Sequence, residues 1–168
     1  MLPRQVLGQG AQPIIIYNYG AGKSARVQSA FKLLLKFSLC YSVILWLLVM
    51  LLPGGFAAMF TTDAALMEFT KTALRIYMGA MFLFGIQVSC QMTFNALGKA
   101  VESIVVAVMR KFVLLLPLIY IMPRIFSSDP TTGVYTAEPI ADVIAVTFTA
   151  ILFSIQFKKA LSKMKKQC

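Results

Sequence analysis

The chain has 168 residues, of which 59% are hydrophobic and 13% charged, and its mean hydropathy is +0.79. Soluble domains carry about 45–50% apolar and about 25% charged residues, so each deviation points toward a membrane. The net charge of +10 sits in short clusters between apolar runs, which argues against a nucleic-acid surface. With no histidine and three widely spaced cysteines (Cys40, Cys90, Cys168), no zinc spacing or disulfide framework can be drawn, and an enzyme is not expected.

In chain order, residues 1–20 come first. Ile14-Ile15-Ile16 is apolar, but Arg4, Gln5, Gln9, Gln12 and Pro13 make a poor independent span, so this stretch reads as the end of a truncated transmembrane helix. Crossing ~30 Å of hydrocarbon takes about 20 helical residues. The first full candidate runs from Phe31 to Leu52 and stops at Pro53-Gly54-Gly55; Trp46 inside it reads as a packing or lipid-facing aromatic. A second runs from Leu74 to Leu97, after a polar stretch from Thr61 to Lys71 and before Gly98-Lys99. The third spans Val101 to Ile121 and ends at Met122-Pro123-Arg124, with Pro117 expected to kink it. A polar loop follows over residues 127–133, and the fourth span is expected to start at Pro139, a residue suited to a first helical turn, and to reach Phe157. The fold class is therefore all-α transmembrane: a bundle of about four full spans within residues 21–160, a partial N-terminal helix over residues 1–20, and a basic tail over residues 161–168.

Alternating loops divide the charges. One side receives twelve basic residues, including Lys23, Arg26, Lys99, Lys158 and Lys159; the other receives four, Arg4, Lys71, Arg75 and Arg124. Of the acids, only Glu102 falls on the basic side. The positive-inside rule then makes the tail cytoplasmic, where its lysines meet anionic lipid.

Several residues carry chemistry that lipid alone does not demand. Gln87, Gln91 and Asn95 recur every four residues and form one polar stripe, read either as a cleft surface for substrate or ion, or as interhelical hydrogen bonding. Tyr77, Met78, Met81 and Phe82 suit a pocket for flat organic cations, or simple packing. Arg110 and Lys111 lie about halfway along the third span, where an ionisable group costs at least ~2.5–3.5 kcal/mol. Lys111 is expected to snorkel; Arg110 is expected to face inward, with Glu102 two turns earlier as its partner. Glu138 and Asp142, four apart, share a face of the fourth helix and are candidates for a coupling ion, or for stabilising a helix N-terminus.

The run from Gln9 to Gly22, with Gln12, Pro13, Tyr17, Asn18 and Gly20 in it and followed by Arg26-Val27, resembles the motif ending the eighth helix of MATE (multidrug and toxic compound extrusion) transporters. Ala96 to Ala100 resembles their loop between helices ten and eleven; Arg110 to Pro123 and Ala137 to Asp142 are similar to the eleventh helix and the start of the twelfth, most of all in the MepA-like branch. The resemblance implies most of the C-terminal lobe of a twelve-helix transporter, helices nine to twelve plus the end of eight, without its N-terminal lobe. It further implies an antiporter of the bacterial plasma membrane, driven by protons or sodium, exporting small organic cations or other drugs. Its partners would be membrane lipid and the missing N-terminal lobe, not nucleic acid; no metal or organic cofactor is expected. The alternatives are a lipid-linked saccharide flippase of the same superfamily, for which Arg110-Lys111 is the one hint, and an inactive truncated fragment.

Overall fold

The computed structural model describes residues 2–59, 62–125 and 130–167, and among these every regular element is helical. Helix α1 (Leu2–Gly20) holds Pro13 within it and ends in a turn at Gly22, whose φ of 70° only glycine adopts without strain. There the Lys23 N–H donates to Asn18 O at 3.0 Å and the Gly22 N–H to Tyr19 O at 3.2 Å, the paired bonds of a Schellman turn. Helix α2 (Ser24–Leu51) stops before Pro53, which opens the short α3 (Pro53–Ala58).

The second expected span is broken in two. Asp63 caps α4 (Ala64–Tyr77) by accepting from Ala65 N–H at 2.8 Å and Leu66 N–H at 3.2 Å, so the polar stretch before Leu74 is itself helical. A turn around Gly79 and a 3₁₀ turn (Met81–Leu83) then lead into α5 (Phe84–Ala96), bent by 44° from α4. Gly98, φ 73°, repeats the Schellman turn of Gly22, with Lys99 N–H on Phe94 O at 2.9 Å.

The third span, Ala100–Ile125, runs as one continuous helix through Pro117. Between α6 (Ala100–Val108) and α7 (Leu116–Ile125) it widens into a π-helical segment, Met109–Leu115, whose register shows in the Leu116 N–H bonding Lys111 O. Pro117 supplies no N–H and its ring crowds the carbonyl one turn back; a wider turn relieves both.

Helix α8 (Pro130–Gln167) corrects two expectations. It starts at Pro130, leaving Pro139 in its interior, so residues 130–133 are helix and not loop. It also runs on through the lysine-rich tail, because that tail has an apolar face: Ala160, Leu161 and Met164 are buried against Ile15, Val27, Ala96 and Leu97. This cluster ties the ends of α1, α2, α5 and α8 together, so the basic segments at Lys23, Lys99 and Lys158 lie at one end of the bundle. The loop at residues 127–129 and the side chains of Arg4, Gln5, Lys165, Lys166 and Cys168 lie outside the described residues.

Among the described residues, three helices are long and apolar enough to cross a bilayer, Ser24–Leu51, Ala100–Ile125 and Thr131–Met164, and the bent α4–α5 pair is long and apolar enough for a fourth when taken as one broken span. Only 6% of the apolar window of Ala100–Ile125 is buried within the chain. Phe112, Leu116 and Tyr120 stand exposed on it, as do Leu33, Phe37 and Ile44 on α2. Such surface is tolerated only against lipid or further protein. Small residues bring the helices together: a Cβ on Gly85 of α5 would lie 2.7 Å from the Ser38 carbonyl oxygen of α2.

Candidate functional site: a charged cluster at the helix break

The α4–α5 break and the π segment face α8 at the same place, and a buried ion cluster fills it. Arg110 Nε donates to Asp142 Oδ1 at 2.6 Å and Nη2 to Glu138 Oε1 at 3.2 Å, with side chains only 13%, 9% and 14% exposed in the order Arg110, Asp142, Glu138. Its guanidinium carbon lies 4.5 Å above the centre of the Phe84 ring, a cation–π contact that screens it from lipid. Lys111 Nζ stands 3.9 Å from Glu138 Oε1 but is half exposed, consistent with an outward stem.

Arg110 therefore faces inward as expected, but its partner is not Glu102. That carboxylate instead accepts from Lys99 Nζ at 2.9 Å, and Lys99 also donates to Gln156 Oε1 of α8 at 2.8 Å. The sequence distance misled: Glu102 lies two turns away along one helix, whereas the neighbouring α8 supplies two acids at the right height. The i, i+4 spacing of Glu138 and Asp142 is what lets one guanidinium reach both.

Tyr77, Met78, Met81, Phe84, Arg110, Glu138 and Asp142 line one cavity of about 70 Å³. A drug-sized ligand needs about 300–1,000 Å³, whereas one water takes ~30 Å³ of liquid. The cavity is on the scale of an ion or a few waters. Of the expected cleft residues it unites Tyr77, Met81 and Arg110 with the two acids.

The Gln87–Gln91–Asn95 stripe runs along α5 through three different surroundings. Gln87 is buried with its Oε1 unpartnered among the described residues, Gln91 is half-buried and Asn95 is exposed at the far end of α5. In a helix broken above and packed on several neighbours, equal spacing does not secure equal surroundings. Phe82 turns to Trp46 instead, ring centres 5.5 Å apart.

The motif residues of α1 do structural work. Asn18 is buried and its Nδ2 donates to Ile14 O at 2.8 Å, while its backbone carbonyl closes the Gly22 turn. Gln12 Nε2 reaches Met92 Sδ at 3.6 Å, joining α1 to α5; Tyr17 is exposed, and a Cβ at Gly20 would meet open space. Asn18 also borders an apolar groove of about 740 Å³ between α1 and α2, which none of the other expected site residues lines. Sequence reasoning missed Phe84 and the break at Gly79; the glycine beside Tyr77-Met78 was the available signal for the latter. Among the described residues there is no group of three or more potential metal ligands.

Comparison with known proteins places this architecture. A ligand-bound structure of the MATE multidrug transporter DinF-BH is 32% identical, superposes with a TM-score of 0.84, and is matched over 92% of this chain and 34% of its own. The inward-facing conformation of a multidrug resistance MATE family transporter of the MOP superfamily shares the fold at 17% identity, TM-score 0.79, with 95% of this chain and 36% of that chain covered. An FAD transporter of Shewanella oneidensis is 28% identical over 138 residues, 82% of this chain and 30% of that protein. The chain thus spans about a third of the length of these relatives. The MatE family model matches residues 1–121, and the chain belongs to that family of membrane transporters.

Proposed function

We propose that this chain forms most of the C-terminal lobe of a cation-coupled multidrug antiporter of the bacterial plasma membrane, and that Glu138 and Asp142 are its coupling acids. The observation that carries this reading is the Arg110–Glu138–Asp142 cluster, a set of buried charges at the meeting of a broken helix and a π-helical segment. Buried ionisable groups in a membrane bundle are costly and mark ion pathways, and π segments and broken helices concentrate at functional sites. One guanidinium between two carboxylates leaves the buried trio one formal negative charge, met among the described residues only by the half-exposed Lys111 ammonium 3.9 Å from Glu138, so the second carboxylate is open to a proton or a sodium ion. The ligand this cluster implies is thus the coupling ion.

The 70 Å³ cavity fits the coupling ion and not the drug. Small organic cations would then be held against surfaces completed by the N-terminal lobe, with Tyr77 and Met81 at the margin. The similarity of Arg110–Pro123 and Ala137–Asp142 to the MepA-like branch supports a multidrug substrate range, as does the multidrug transporter among the similar structures. The FAD transporter supports transport of a larger anion. The flippase reading is weakened, because Arg110 is already engaged by two carboxylates, which leaves the half-exposed Lys111 as its one remaining hint. The single basic end of the bundle supports a cytoplasmic C-terminus.

The test is efflux of a cationic dye from bacterial cells producing this chain together with a MATE N-terminal lobe, with and without a pH or sodium gradient. Gradient-dependent efflux that needs both parts, and that Glu138→Gln plus Asp142→Asn abolishes, is expected. Efflux unchanged by that double substitution refutes the coupling role; no efflux in any combination supports an inactive fragment.

A further inference from the structure

Resting on the coupling reading, a second charged group and the layer between the two gain a role. Along α6 and into the π segment, Glu102, Val106 and Arg110 follow one another at intervals of four residues, so the Lys99–Glu102–Gln156 group and the Arg110–Glu138–Asp142 cluster are about 12 Å apart along the helix axis. Between them sits a buried apolar layer: Val106, 1% exposed, packs with Cys90, Phe94 and Phe153, and the Phe94 and Phe153 rings meet at 5.2 Å. Three helices close it, α5 through Cys90 and Phe94, α6 through Val106, and α8 through Phe153. Polar groups resume next to it, with Gln87 carrying an Oε1 unpartnered among the described residues one turn before Cys90, and Ser103 buried one turn before Val106.

We propose that the seam between α5, α6 and α8 is a proton route from the Lys99–Glu102 end of the bundle to the Glu138–Asp142 pair, and that the Cys90–Phe94–Val106–Phe153 layer is its barrier. A dry aromatic layer holds no water and so no proton wire. Wetting it joins the Lys99–Glu102 end to the buried pair: a hydronium ion arriving beside the Glu102 carboxylate, which is paired with Lys99, gives up one O–H bond, and one O–H bond forms at Glu138 or Asp142. Among the described residues, the charged and titratable groups facing the route are Lys99 and Glu102 at one end, the Cys90 thiol in the layer, and Tyr77, Arg110, Lys111, Glu138 and Asp142 at the other. The barrier makes the buried pair reachable from the Lys99 end only when the layer opens, as alternating access requires of a coupling site.

Cys90 is a built-in reporter of this layer. The full chain carrying Cys40→Ser and Cys168→Ser is placed in right-side-out and inverted membrane vesicles and exposed to a charged, membrane-impermeant methanethiosulfonate reagent. Ser162→Cys, exposed on α8 at the lysine end, marks the side. Cys90 of the parent is expected to stay unmodified. In Val106→Thr, nearly isosteric but able to hold water, and in Phe153→Ala, Cys90 is expected to react at least tenfold faster, and only from the side that labels Ser162→Cys. Proton leak through Val106→Thr vesicles is expected to rise severalfold and to fall back when Glu138→Gln and Asp142→Asn are added. Equal Cys90 reactivity in parent and both variants, labelling from the opposite side, or a leak indifferent to the two acids overturns the proposal. The reagent reads the barrier without transport, so failure of the coupling reading shows in dye efflux instead.

Discussion

Arg110→Met is the perturbation that bears most directly on the charged cluster. Among the described residues, Arg110 is the only cation that hydrogen-bonds both carboxylates, and all three side chains are at most 14% exposed. Removing it leaves two like charges on one face of α8 without a buried counter-ion. Lys111, 3.9 Å from Glu138 and half exposed, recovers little, since exposed pairs are worth at most about 1 kcal/mol. Breaking one partner of a buried pair costs about 3–5 kcal/mol, and the lost contact with Phe84 adds about 0.5–2 kcal/mol. The expected loss is therefore at least about 3 kcal/mol, more than a hundredfold in the folding equilibrium. Neutralising the whole group in Arg110→Met/Glu138→Gln/Asp142→Asn should return stability to within about 1–2 kcal/mol of the parent, because a fully replaced buried pair is often nearly neutral. Reversible unfolding in mixed micelles of mild detergent and dodecyl sulfate, followed by circular dichroism, measures both. Arg110→Met within about 1 kcal/mol of the parent, or a triple variant no better than the single one, would refute the reasoning.

Three further outcomes follow from the packing. Gly85→Ala sets a methyl 2.7 Å from the Ser38 carbonyl oxygen, where only backbone can yield, so α2 and α5 must separate at a cost of about 1–3 kcal/mol, whereas Gly10→Ala, with open space around it, should shift the unfolding midpoint little. Gly98→Ala forces alanine to φ 73° in the α5–α6 turn and should cost about 1–2 kcal/mol in the same assay despite the absence of any clash. Asp63→Ala removes the side-chain bonds to Ala65 and Leu66 N–H and should fray α4, seen as faster amide exchange at its first turn and a loss of about 0.5–2 kcal/mol.

The membrane character and the helical spans were legible because lipid imposes one simple demand, long apolar runs with basic ends, and Phe31–Leu52 shows it without ambiguity. The site was legible in its residues but not in its pairing. Arg110, Glu138 and Asp142 stood out as charges in apolar surroundings, yet which acid meets the arginine depends on how α8 lies against the π segment, and no local pattern encodes that. Helix ends were read poorly at Pro139 for a related reason: a proline satisfies a first turn, but a helix passes through it when packing on both sides holds the chain, here through Ala137 and Ala141 at 0% and 1% exposure. The tail read only as basic residues meeting anionic lipid, because its apolar contacts through Leu161 and Met164, with Ala160 just before it, find their partners far away in sequence.

The coupling role of the buried acids is tested most directly by counting protons. In unbuffered detergent solution, the transporter assembled from this chain and a MATE N-terminal lobe should release protons when a cationic substrate is added. Glu138→Gln/Asp142→Asn should bind that substrate with no proton release. An equal release from parent and double variant would contradict the account, because the exchanged proton would then reside outside the Arg110 cluster.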